Sequence, residues 1–139
     1  MKTGDGNPGK LEKKFDWIKH EHVGISHEDH RRALTDFFNG DFVAKQGKKV
    51  EVKIDCIMGN HYHPYRQFFF MDKGEADYAF VNVDKPEERV DIHLVAGDKV
   101  IINKRIAHRA IMKAGNVTIE GNEESYTSPK IDDLKYRID

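Results

Sequence analysis

The chain has 139 residues, 23 basic and 24 acidic, with a net charge of -1 and one cysteine, Cys56. A single domain of this size buries about two thirds of its unfolded surface. The balanced charge excludes an electrostatic footprint for nucleic acid or for a membrane surface, and the lone cysteine excludes an internal disulfide. No apolar run reaches bilayer length and no signal-peptide pattern is present, so a soluble, cytoplasmic protein is expected.

Residues 1–14 (MKTGDGNPGKLEKK) are polar and glycine-rich and read as a mobile tail. Phe15, Trp17 and Ile18 then pin the start of the fold onto its surface. His20, His22, His27 and His30 follow among charged residues, and read as a solvated loop rather than a metal site. Ser26 and Asp29 have the spacing of a capping box, which would open a helix through Phe38. Asn39-Gly40 is the stronger signal, because both residues of a tight hairpin turn need φ > 0. A hairpin joining RALTDFF to DFVAK is therefore expected.

Residues 50–57 (VEVKIDCI) alternate apolar and polar, as a half-buried strand does. In that alternation Cys56 shares a face with Val50, Val52 and Ile54, and reads as a buried thiol. Further strands are expected over 66–72, 75–83, 90–96, 99–103, 108–113 and 116–121, parted by turn residues. Short strands at close intervals indicate an antiparallel sandwich or barrel. His93 lies opposite the face of Val90, Ile92 and Leu94, and reads as a surface histidine or a support behind a site. The polar stretch 122–139 is broken at Ser128-Pro129. Ile131, Leu134, Tyr136 and Ile138 beyond it suit a short helix or an added strand.

The chemistry concentrates in residues 57–74, IMGNHYHPYRQFFFMDKG. In a strand, residues i and i+2 point to one face, so His61 and His63 aim two imidazoles into one space. Neutral imidazole is the commonest protein ligand for zinc, copper, nickel and ferrous iron. His108 would add a third nitrogen and Gln67 an oxygen. Gln67, Phe69 and Met71 share one face of their strand, with Phe68 and Phe70 on the other. Tyr62, Tyr65, Arg66 and Tyr78 flank the histidines in sequence, and any of them can orient a substrate.

The pattern H-x-H-x3-Q-x6-G at His61, His63, Gln67 and Gly74, followed by Gly97 and His108, resembles the two motifs of the cupin superfamily. Gln67 stands at the position of the family's glutamate. The first motif's leading glycine falls at Asp55, and Gly59 is present instead. In the second motif Asn103, Arg105 and Met112 replace proline, glycine and asparagine. The resemblance spans residues 50–120, about half the chain. It implies an all-β fold, a small antiparallel jelly-roll barrel over 15–121, with 122–139 packing on it. It also implies one divalent metal ion (zinc, iron, nickel or manganese) held by His61, His63, Gln67 and His108.

Three neutral imidazoles and an amide leave the ion's full +2 charge uncompensated, which favours anionic or enolate ligands. The segment GNHYH is similar to cupins that epimerise or isomerise keto-sugars in polysaccharide synthesis. In that reading His61 or His63 removes a proton alpha to a carbonyl, and needs no metal to do so. The alternatives are a three-histidine, metal-dependent dioxygenase, and a non-catalytic binding or sensor cupin. Pairing into a homodimer is expected by analogy with single-domain cupins.

Overall fold

The structure, a computed structural model, describes residues 11, 12 and 14–139. The tail expected over 1–14 lies outside the described residues except at these positions. Among the described residues thirteen strands pair antiparallel. They are β1 (Leu11–Glu12), β2 (Ile18–His22), β3 (His27–Glu28), β4 (Ala33–Leu34), β5 (Gln46–Glu51), β6 (Cys56–Tyr62), β7 (Gln67–Lys73), β8 (Glu75–Asn82), β9 (Arg89–Val95), β10 (Asp98–Ile102), β11 (Ile106–Met112), β12 (Val117–Asn122) and β13 (Leu134–Lys135). One helical turn, α1 (Pro129–Asp132), precedes β13. A six-stranded sheet, β1-β2-β10-β7-β12-β5, faces a five-stranded sheet, β13-β6-β11-β8-β9, and β3-β4 forms a separate ribbon.

The main core fills the space between the two large sheets. Phe69, Met71, Val100 and Ile102 of the first meet Tyr78, Phe80, Leu94, Ala110 and Met112 of the second. Phe68, Phe70 and Ile101 point the other way and form a second cluster with Phe42. Alternation along β7 therefore buries residues on both faces, because the chain before β5 lies over the outer side of this sheet. A third cluster, Ala79, Val81, Ala107 and Ile138, sits on the outer side of the second sheet.

Several local expectations are corrected. Residues 50–57 are not one strand: the chain leaves the first sheet after Glu51 and joins the second at Cys56. The backbone of Val52 is taken by the 115–116 turn, with Val52 N–H donating to Asn116 O (2.9 Å) and Gly115 N–H to Val52 O (2.8 Å). Ile54 is left 70% exposed and Cys56 only half-buried. No hairpin forms at Asn39–Gly40, although Gly40 does take φ +88. Phe37 stacks on Phe70 at 4.9 Å and Phe42 lies 5.9 Å from Phe68, so apolar cover for the sheet wins over local pairing. Nor does a helix start at Ser26. The hairpin that forms is β3-β4, turning at Asp29–Arg32, where Asp29 Oδ1 accepts from Arg31 N–H. Ser26 Oγ accepts from Asp36 N–H at 2.9 Å instead of capping a helix. Trp17 and Ile18 do not rest on the surface but enter the main core.

His20 and His22 are likewise not in a solvated loop. They lie half-buried on β2, where buried Asp98 holds His22 Nδ1 at 2.6 Å and stands 3.6 Å from His20 Nε2. His27 is exposed on the ribbon.

Candidate active site

A bulge builds the site. β6 and β11 pair regularly from Met112↔Cys56 to Arg109↔Gly59, and then His108 pairs with His61, leaving Asn60 as the extra residue. Gly59 (φ +95) and Asn60 (φ +59) supply the backbone turn. A Cβ on Gly59 would sit 2.5 Å from the His108 carbonyl oxygen, so only glycine fits there. The bulge resets the alternation of β6, and Met58 and His61 both face the interior. Past the strand, the His63 carbonyl accepts from Arg105 N–H at 2.9 Å. Arg105 has φ +64, in the left-handed region that favours glycine, the residue type of the cupin pattern at this position.

The three motif histidines converge. Each offers a nitrogen, all within 4.8 Å of one another. His61 meets His108 edge-on at 4.7 Å and His63 at 4.8 Å between ring centres. His63 Nδ1–H donates to the Asp132 carbonyl at 2.7 Å, with the Asp133 carboxylate at 3.4 Å. That bond leaves its other nitrogen with a free lone pair. Tyr65 stacks on His63 at 5.3 Å and donates to Asp132 Oδ1 at 3.0 Å. Thr127 and Ser128 N–H groups donate to Asp132 Oδ2, each at 2.7 Å. The turn of α1 thus anchors one imidazole.

All three imidazoles are held neutral. Burial pushes His63 down to about 4, and the neighbouring His61 adds to this. His108 lies well below the usual histidine value, chiefly through burial. Burial also lowers His61, partly offset by the Asp133 carboxylate.

Gln67 projects from the same face of β7 as Phe69 and Met71. Its amide donates to Asn122 Oδ1 at 3.1 Å, and its Oε1 is buried without a partner among the described residues, as is His108 Nδ1. The three converging imidazoles form a group that could hold a metal ion. Among the other flanking residues, Tyr78 lines the interior, whereas Tyr62 turns outward against Tyr136 and Arg66 lies over Phe42. His93 is on the surface, paired with Asp77 at 2.6 Å and Glu75 at 3.0 Å.

A cavity of about 80 Å³ lies between the sheets, and His61, His108, Tyr78, Lys48 and Glu120 are among the residues that line it. Lys48 Nζ is 3.7 Å from Glu120 Oε1. A larger groove, about 990 Å³, runs outside between β6 and the C-terminal segment, lined in part by Arg109, Lys130, Asp133, Lys135 and Arg137. His61 borders both spaces. Lys48, Glu120, Asp132 and Asp133 carry no spacing signal in the sequence; only the polar alternation Thr118, Glu120, Asn122 marks a strand with a polar inner face.

The chain matches no protein-family model and no curated protein sequence. Solved structures do match. The dTDP-4-dehydrorhamnose 3,5-epimerase of Sulfolobus tokodaii superposes with a TM-score of 0.75 at 17% identity, over 91% of this chain and 81% of that one. A Legionella pneumophila 3,5-epimerase solved with dTDP-4-keto-L-rhamnose gives 0.74 at 15% identity, over 88% and 75%. NovW, a 4-keto-6-deoxy sugar epimerase from Streptomyces spheroides, gives 0.76 at 12% identity, over 94% and 74%. The chain has the cupin fold. The jelly roll implied by the histidine spacing is the architecture found, and its structural neighbours are sugar-modifying enzymes of that fold.

Proposed function

We propose that the protein is an epimerase or isomerase of a keto-sugar carried on a nucleotide, with His61 removing a proton alpha to the carbonyl. One observation carries this reading: His61 is a neutral imidazole that borders both the internal cavity and the outer groove. A substrate entering from the groove meets it first, whereas His63 and His108 lie behind it, more deeply buried. Neutral imidazole is the form that accepts a proton. Arg109, Lys130, Lys135 and Arg137 in the groove suit the negative charge of a diphosphate carrier. The fold neighbours named as dTDP-sugar epimerases add support of the same kind.

The histidine set also fits a metal. His61, His63, His108 and Gln67 would hold the ion, which would supply Lewis-acid polarisation of a bound carbonyl. His61 cannot serve as ligand and as base at once, so one experiment addresses both roles. Protein stripped with chelator is incubated with a dTDP-4-keto-6-deoxyhexose in D₂O and followed by proton NMR. Exchange of the protons alpha to the carbonyl, abolished in His61→Asn, is the expected result. Exchange lost on stripping and restored by a divalent ion would make His61 a ligand. No exchange under either condition would reject the epimerase reading.

A further inference from the structure

We propose that Glu120 is the second proton-transfer group of this site, acting from the wall opposite His61. The proposal rests on the epimerase reading and extends it. Inverting a carbon centre requires the C–H bond to break on one face and to form again on the other. Groups able to exchange protons are therefore needed on both sides of the substrate. The two-sheet architecture provides them. His61, His108 and Tyr78 come from the second sheet, while Glu120 and Lys48 come from β12 and β5 of the first, across the same cavity.

Glu120 is otherwise hard to explain. Its side chain is 13% exposed and lines a space otherwise bounded in part by Phe69, Tyr78 and Met112. A carboxyl there lowers stability relative to an apolar residue. Thr118 Oγ1 donates to its Oε2 at 3.0 Å, and Lys48 stands at 3.7 Å from its Oε1. Burial nevertheless raises the carboxyl above its ordinary value, towards the form that can donate.

The steps balance. His61 takes the alpha proton: the C–H bond breaks, an N–H bond forms, and the electron pair passes into the carbonyl to give an enolate. The Glu120 O–H bond then breaks, its proton joins the carbon from the opposite face, and the carbonyl re-forms. Imidazolium and carboxylate remain, the carboxylate stabilised by the Lys48 ammonium, and exchange with water resets both. Tyr78 stands on the same wall as His61, and a proton returned from that wall restores the starting configuration.

The test is Glu120→Gln, assayed in D₂O with a dTDP-4-keto-6-deoxyhexose. Epimer formation is expected to fall by roughly 100-fold or more, while deuterium still enters the alpha carbon with retained configuration. His61→Asn loses both. Glu120→Asp keeps the carboxyl, restores part of the epimer formation, and gives the same comparison if the glutamine variant is insoluble. Epimerisation at the wild-type rate in folded Glu120→Gln overturns the proposal, as does equal loss of exchange and epimerisation. Absence of exchange in the wild type fails the epimerase reading itself, an outcome distinct from these.

Discussion

Gly59 is where backbone geometry and chemistry meet. Its φ of +95 starts the bulge that sets His61 opposite His108, and a methyl group there would collide with the His108 carbonyl. Gly59→Ala incurs both a left-handed backbone and a contact with rigid main chain, so about 2–3 kcal/mol of stability is expected to be lost. Urea denaturation measures it. A loss under about 0.5 kcal/mol would mean that the bulge relaxes freely, and that the histidine register is less constrained than described. The glycine that the cupin pattern places at Asp55 is absent; Gly59, four residues on, performs the turn that this chain needs. Arg105 illustrates the converse. It takes φ +64, a conformation that favours glycine, while its guanidinium pairs with Asp84 at 2.8 Å.

At the scale of elements, the segment after β12 acts as a strap. Pro129–Asp132 forms one capped turn, β13 pairs with β6, and Ile138 covers the outer side of the second sheet. Asp132 is the joint of this strap, accepting from Thr127 N, Ser128 N and the Tyr65 hydroxyl. Removing the carboxylate in Asp132→Ala leaves three donors to find other partners, at about 2–4 kcal/mol. Because His63 is bonded to the same residue's carbonyl, its anchoring should loosen too. Faster amide exchange over residues 127–136 and reduced activity are the expected signs; unchanged exchange there would refute the joint.

Most strands were legible in the sequence from short apolar runs parted by turn residues, and the histidine pattern placed three residues that do converge. Three features were hidden for physical reasons. The break at 52–55 falls inside an unbroken alternation, because the crossing between sheets is made by tertiary backbone bonds rather than by a glycine or proline. At Asn39-Gly40 only Gly40 takes positive φ and no hairpin forms, since the neighbouring phenylalanines are needed over Phe68 and Phe70. Glu120 was invisible because Ile119 makes the opposite face of β12 look like the inner one. In fact Ile119 packs against the outer phenylalanine cluster, and Glu120 on the other face lines the cavity.

For the molecule as a whole, the site imposes a pH dependence on folding. His63, His61 and His108 are buried as neutral imidazoles, with folded values below that of free histidine. As pH falls below about 6.5, the unfolded chain takes up protons at these positions while the native protein does not. Protonation therefore favours unfolding, and the stability contributed by the neutral histidines is present above pH 6.5 and lost below it. For His63 the window runs from 6.5 down to about 4, worth roughly 3 kcal/mol across its full width. Glu120, raised by burial, and His93, raised by Asp77 and Glu75, act in the opposite sense over this range, so the difference between wild type and His63→Gln is what isolates the share of the buried histidines. Urea unfolding at pH 7.5, 6.0 and 5.0 should show stability decreasing at each step, with a shallower decrease in His63→Gln. A flat profile from pH 7.5 to 5.0 would mean that the imidazoles protonate in place. They would then be too accessible to water for the buried, neutral triad on which the proposed proton transfer depends.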